Sequence, residues 1–216
     1  MPVKLNSSGG GSVTLTTPST ASDFTATFPA NTGNVVTDSA TQTLTNKTLT
    51  SPVITGASVS SMASSVITSG TSQASTSGTS IDFTGIPSWV KRITVMFNGV
   101  STNGTSPVIV QLGTGATPTY TTSGYQSFVL YNGGTTNITN GLTTIGIGAS
   151  DTRWGSMILS TSGSNSWTEI VGNAVGTNGG AGGGGITLGA ALTAIRITTS
   201  NGTDAFDAGS INILYE

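Results

Sequence analysis

Eight carboxylates are the general acid or base candidates of this 216-residue chain: Asp23, Asp38, Asp82, Asp151, Glu169, Asp204, Asp207 and Glu216. A glycosidase sets two carboxylates across a sugar bond. Asp151 and Glu169 lie in the same half of the chain, but nothing in their spacing marks such a pair, and solvated loop and strand carboxylates are the simpler reading. Asp204 and Asp207 could join a calcium site with backbone carbonyls. An Asp-x-x-Asp pair is far poorer in ligands than a calcium loop, however, so turn capping is expected. The chain contains no His and no Cys. That removes Ser-His-Asp and Cys-His nucleophiles, the usual zinc ligand sets and disulfides. The expectation is a non-enzyme with no catalytic residue, no metal and no cofactor.

Binding chemistry is narrowed in the same way. The basic residues are Lys4, Lys47, Lys91, Arg92, Arg153 and Arg196, too few and too scattered to neutralise a run of phosphates, so no nucleic-acid partner is expected. No apolar run nears the roughly 20 residues of a membrane helix, so no membrane insertion is expected. Residues 1–9 hold no hydrophobic stretch of signal-peptide length, which points to synthesis in the cytosol. Uncharged recognition remains. Tyr125, Tyr131 and Trp154 stand beside Gly-rich turns, where an exposed ring could stack on a sugar while Asn and Thr bond its hydroxyls. Trp89, behind Pro87 at a strand entrance, reads as core. The run Gly179-Gly180-Ala181-Gly182-Gly183-Gly184-Gly185 is not a phosphate loop, since no Lys-Ser/Thr follows it. It reads as a flexible hairpin loop, or as a tip loop where Gly182 and Gly183 let backbone approach a host glycan.

These residues need elements to position them. The 31 Gly and 71 Ser plus Thr make up nearly half the chain, charged residues only 6%, and the net charge is −2. Disordered chains combine low hydrophobicity with high net charge, whereas mean hydropathy here is +0.14. Thr, Val and Ile are β-branched and favour pleated, half-buried surfaces. The composition predicts an all-β chain whose exposed faces carry hydroxyls in place of charges.

Texture divides the chain into three. Residues 1–55 hold short alternating runs, Ser12-Val13-Thr14-Leu15-Thr16 and Phe24-Thr25-Ala26-Thr27-Phe28, broken by Pro18, Pro29 and Asn31-Thr32-Gly33. Residues 56–79 are rich in Ser, Thr, Gly and Ala and read as a linker or neck. Within them Val59, Met62, Ala63, Val66 and Ile67 share one helical face, which bundled with copies of itself could form a brief coiled-coil neck. In residues 80–216 the alternation returns: Ile93, Val95 and Phe97; Val108, Val110 and Leu112; Ile211, Ile213 and Tyr215. Further short runs fall at 127–130, 142–147, 156–159, 167–171, 186–188 and 194–197. Asn98-Gly99, Asn103-Gly104, Asn132-Gly133, Asn140-Gly141 and Asn201-Gly202 suit tight turns. About eight to ten short strands predict a C-terminal antiparallel β-sandwich or jelly roll.

Particular segments also resemble a known family. Gly10-Gly11-Ser12-Val13-Thr14-Leu15, and Thr43-Leu44-Thr45-Asn46-Lys47-Thr48-Leu49-Thr50-Ser51-Pro52 followed by Val53-Ile54, resemble segments recurring in bacteriophage tail-fibre and other virion appendage proteins. Ile81-Asp82-Phe83-Thr84-Gly85-Ile86-Pro87-Ser88-Trp89-Val90-Lys91-Arg92-Ile93 and Phe206-Asp207-Ala208-Gly209-Ser210-Ile211-Asn212-Ile213 are similar to a module at the ends of such proteins. The resemblance implies a virion structural protein, a homotrimer assembled in the host cytoplasm. On that reading residues 1–55 dock to the particle and trimerise. Val13, Leu15, Leu44, Leu49, Val53 and Ile54 are then shared between chains, because the segment is too short to bury them alone. The partners would be sister chains, other virion proteins (an adaptor, a portal-proximal protein or the capsid), and host surface glycan at Tyr125, Tyr131, Trp154, Gly182 and Gly183. A tail-fibre or spike component leads these expectations. A capsid decoration or head-fibre protein comes second, and a glycan depolymerase third.

Overall fold

From residue 80 onward, wherever Val, Ile and Phe alternate with Thr, Asn and Ser, the chain runs as antiparallel strand. The computed structural model describes residues 3–6, 8–15, 48, 50, 67–132, 134–146, 148–149 and 151–216. The chain divides into two units, Met1–Ala57 and Ser58–Glu216. In the first, β1 (Val3–Asn6) pairs with β2 (Ser12–Leu15) in a hairpin, Val3 opposite Leu15 and Asn6 opposite Ser12. Its turn carries Gly10 at φ +87°, a conformation that favours glycine. Leu44, Leu49, Val53, Ile54, the 24–28 run and the helical face at Val59, Met62, Ala63 and Val66 lie outside the described residues.

The second unit contains β3 (Thr68–Ser69), β4 (Gln73–Ala74), β5 (Ser80–Thr84), β6 (Arg92–Thr102), β7 (Val108–Thr114), β8 (Thr119–Tyr120) and β9 (Gln126–Tyr131). It continues with β10 (Gly134–Ile138), β11 (Leu142–Thr143), β12 (Arg153–Gly163), β13 (Ser166–Val175), β14 (Asn178–Thr187), β15 (Leu192–Thr199) and β16 (Phe206–Tyr215). A nine-stranded sheet runs β10-β9-β14-β13-β12-β6-β16-β3, with β4 also on β16; a five-stranded sheet runs β11-β7-β15-β5, with β8 on β7. No helix occurs among the described residues.

One core joins the two sheets, as in a β-sandwich. Ile93, Val95 and Phe97 of β6 and Met157 and Leu159 of β12 gather with Val110 and Leu112 of β7 and Ile195 and Ile197 of β15. Burying side chains of this size contributes roughly 1.5–3 kcal/mol each. The β12–β13 hairpin closes through Ser164 (φ 49°) and Asn165 (φ 62°), the two positive-φ positions of a type I′ turn, whose twist matches that of the strands.

Two segments differ from the sequence reading. Residues 68–79, read as linker, add β3 and β4 to the nine-stranded sheet. Ser75 is fully buried there, its hydroxyl donating to the Ala208 carbonyl at 2.8 Å. Asn98-Gly99, read as a turn, lies within β6. It faces the register shifts of β16, where a Cβ on Gly209 would meet the Gly99 carbonyl at 2.4 Å.

Candidate functional site

Each described carboxylate of the second unit is held by a neighbour. Asp82 takes the Arg196 guanidinium in a two-pronged pair at 2.8 Å, and Arg196 also lies 4.1 Å above the Tyr120 ring. Asp151 caps a turn by accepting the Gly148 N–H at 2.9 Å. Asp204 accepts the Ser106 N–H and the Asn201 amide, which hold its carboxyl below its ordinary range, while Asp207 accepts the Ser101 hydroxyl. These are largely tertiary contacts in place of the turn capping expected of Asp204 and Asp207: Ser106 and Ser101 lie far from them in sequence, and Asn201 Oδ1 caps the turn by accepting the Thr203 and Asp204 N–H groups. Glu216 pairs with Arg92. Among the described residues, no group of three or more His, Cys, Asp or Glu is placed to hold a metal.

Glu169 is the exception to the solvated reading: it is 4% exposed and points into the sandwich. In β13, Trp167, Glu169, Val171, Asn173 and Val175 share the inward parity, while Thr168, Ile170, Gly172 and Ala174 face out. Period-two side-chain geometry carries the carboxyl inward with its apolar neighbours. That shared parity with Trp167 and Val171 was the sequence signal for its burial. Ser127 donates to Glu169 Oε2 at 2.7 Å and accepts the Thr143 N–H at 2.8 Å. Burial pushes the Glu169 pKa up to about 8, and the Ser127 hydrogen bond offsets part of the rise. Arg153 is also buried, donating Nη2 to the Ile145 carbonyl at 3.0 Å. Burial lowers its pKa to about 10, opposed by nearby Asp151. The inner polar seam suits internal water, since Glu169 Oε1, Arg153 Nε and Nη1 and both Asn173 side-chain atoms are buried without a hydrogen-bond partner.

The opposite, outward face of the same sheet has another character. One cross-strand row reads Phe128, Gly183, Ile170, Ile158, Thr94, Leu214; the next reads Leu130, Ala181, Gly172, Ser156, Met96, Asn212. Ile170 is 69% exposed, Leu130 53% and Phe128 43%. Ionisable side chains are confined to its ends, with Lys91, Arg92 and Glu216 at one and Asp207 at another. A shallow hollow of about 580 Å³ opens beside Phe128, bounded by Gln126, Asn137 and Thr139 and floored by residues 183–185.

The expected contact residues scatter. Trp154 is exposed (54%), its ring lying over Gly99 and its indole N–H donating to Thr152. Tyr131 is half-buried, with its ring over Gly134. Tyr125 is not a surface residue: it is 1% exposed, and its hydroxyl donates to the Thr121 carbonyl and accepts the Leu112 N–H. A buried phenol needs such partners. Trp89, read as core, is half exposed and tilts against Tyr215 at 5.9 Å. Gly182 and Gly183 do not form a loop. They lie in β14, paired on both sides, because the sheet closes too tightly for side chains: a Cβ on Gly182 would meet the Phe128 carbonyl at 2.1 Å. Val13 and Leu15 lie in β2.

Comparison with protein-family models, with curated proteins and with solved structures finds no match to this chain. The functional reading rests on the residues themselves.

Proposed function

We propose that this chain is a non-enzymatic structural protein of a bacteriophage virion, a homotrimeric tail-fibre or spike component. It docks to the particle through residues 1–55 and meets the host surface with its C-terminal unit. The observation that carries this reading is the outer sheet face, nearly free of charge and exposing Phe128, Leu130 and Ile170, alongside carboxylates committed to caps, ion pairs and the core. Exposed aromatic and aliphatic side chains gathered on one uncharged face favour an interaction surface. The resemblance of residues 10–15 and 43–54 to virion appendage segments supports the virion as its setting. Trp154, with its exposed ring, is the residue assigned to host glycan.

The test is location and dependence. Labelling intact particles should place the protein at the tail, and deleting residues 1–40 should abolish incorporation while the C-terminal sandwich stays folded. Label on the capsid surface would make it a decoration or head-fibre protein. Shortened products after incubation with host polysaccharide would make it a depolymerase.

A further inference from the structure

We propose that the glycine run of β14 floors a binding trough for an uncharged oligosaccharide, on the outward face of the nine-stranded sheet beside Phe128. The inference rests on the host-contact reading above. It adds a second glycan contact to Trp154, which stands on the same face in the Ala174 row.

The trough follows from the strand pairing. Gly183 and Gly185 face outward, between Phe128 and Gln126 of β9 on one side and Ile170 and Thr168 of β13 on the other. Strand β14 thus supplies a floor without side chains, and its two neighbours supply the walls. Two strand spacings set the wall backbones about 9.5 Å apart. The floor is held bare by the tight ladder: a Cβ would stand 3.1 Å from the Glu169 carbonyl at Gly183 and 2.8 Å from the Trp167 carbonyl at Gly185. Two hollows, of about 580 and 490 Å³, open on this face, and Gln126 and Gly185 line both. Small-ligand sites are typically about 300–1,000 Å³.

The lining selects the ligand. Among the described residues no acid or base lines either hollow, so a charged ligand would find no partner for its charge. Gln126, Asn137 and Thr139 are exposed, and their side chains are bonded to no other described residue. Amides and hydroxyls both donate and accept hydrogen bonds, which matches the adjacent hydroxyls of a sugar ring. An aliphatic ligand would displace water from these groups and give nothing back. The half-exposed Phe128 ring offers a flat platform to the C–H face of the same sugar. An extended peptide cannot add to β14 as a strand, since β9 and β13 already pair both of its edges.

The test applies the full-length protein to a printed array of neutral and acidic oligosaccharides. Neutral glycans should bind, equally at low and high salt. Phe128→Ala, and Gln126→Ala combined with Asn137→Ala, should each weaken that binding by about tenfold at an unchanged melting temperature. Binding of acidic glycans alone would overturn the trough. Full binding by Phe128→Ala would overturn it too, and loss in Trp154→Ala alone would leave the glycan with Trp154 and the proposed function intact. Capture of no glycan would overturn both the trough and the glycan role of Trp154, while particle labelling still decides the virion setting. The chain has no cysteine, so a thiol introduced by Thr139→Cys reports what covers the trough before sugar is added. It should label as fast as one introduced by Thr119→Cys, an exposed position of the other sheet. Much slower labelling would assign the trough to a sister chain and overturn the proposal.

Discussion

The Ser127 hydroxyl donates to Glu169 Oε2 across an intervening strand, passing over Gly184, at a distance of 2.7 Å. Ser127, Gly184 and Glu169 form one row of three strands. A Cβ on Gly184 would stand 2.8 Å from that carboxylate oxygen. Glycine thus opens the space in which a buried acid meets its hydrogen-bond donor.

The acid makes stability depend on pH. Folded Glu169 keeps its proton to about pH 8, whereas in the unfolded chain it releases it near 4.5. Between these values the folded state binds more protons, so its stability is full below about 4.5 and falls as pH rises toward 8. The loss is on the order of a few kcal/mol. Urea midpoints should drop from pH 5 to pH 8.5 in the wild type and stay level in Glu169→Gln. Parallel slopes would show that Glu169 is not the source.

Glycines of the sheet should divide sharply by position. Gly182→Ala places a methyl group against the Phe128 carbonyl and should cost more than about 2 kcal/mol through overpacking and lost pairing. Gly172, with nothing within 4 Å of an added Cβ, should accept Ala within about 1 kcal/mol. Denaturant titration of the two variants checks the contrast.

On the five-stranded sheet, Arg196 holds Asp82 with two nitrogens and covers Tyr120. Lysine offers neither the fork nor the planar stack. Arg196→Lys should lower stability by about 1 kcal/mol, a modest figure because both groups are about a third exposed. A thermal melt at low and high salt measures it.

Host contact through Trp154 should be insensitive to salt, since few ion pairs are there to screen. Trp154→Ala should reduce cell adsorption several-fold with its melting temperature unchanged, because the ring lies exposed over Gly99. Unchanged adsorption would return Trp154 to a packing role.

Much of the sandwich was legible in the sequence. Ile93, Val95 and Phe97 alternate because β6 has one wet face, and Ile211 and Ile213 repeat the pattern in β16. Strand β14 was not legible. Seven residues with one methyl group among them have no hydrophobic period, and isolated glycine disfavours strand, so only the flanking β9 and β13 hold it extended. Trp89 and Tyr125 exchanged expected places for a similar reason. Proximity to a turn says where the backbone goes, whereas burial depends on which partners the ring finds, Tyr215 at the rim for one and the Leu112 and Thr121 backbone for the other.

Strands β3 and β4 carry a mechanical consequence. Residues 68–75 are laid along β16 by two ladders of two residues each and by the Ser75 N–H on the Gly209 carbonyl. Tension applied at Thr68 loads these contacts in succession and peels them before it reaches β5. Freeing the 12 residues from 68 to 79 releases about 40 Å of contour length, so that a jolt is taken up by peeling while the core stays shut.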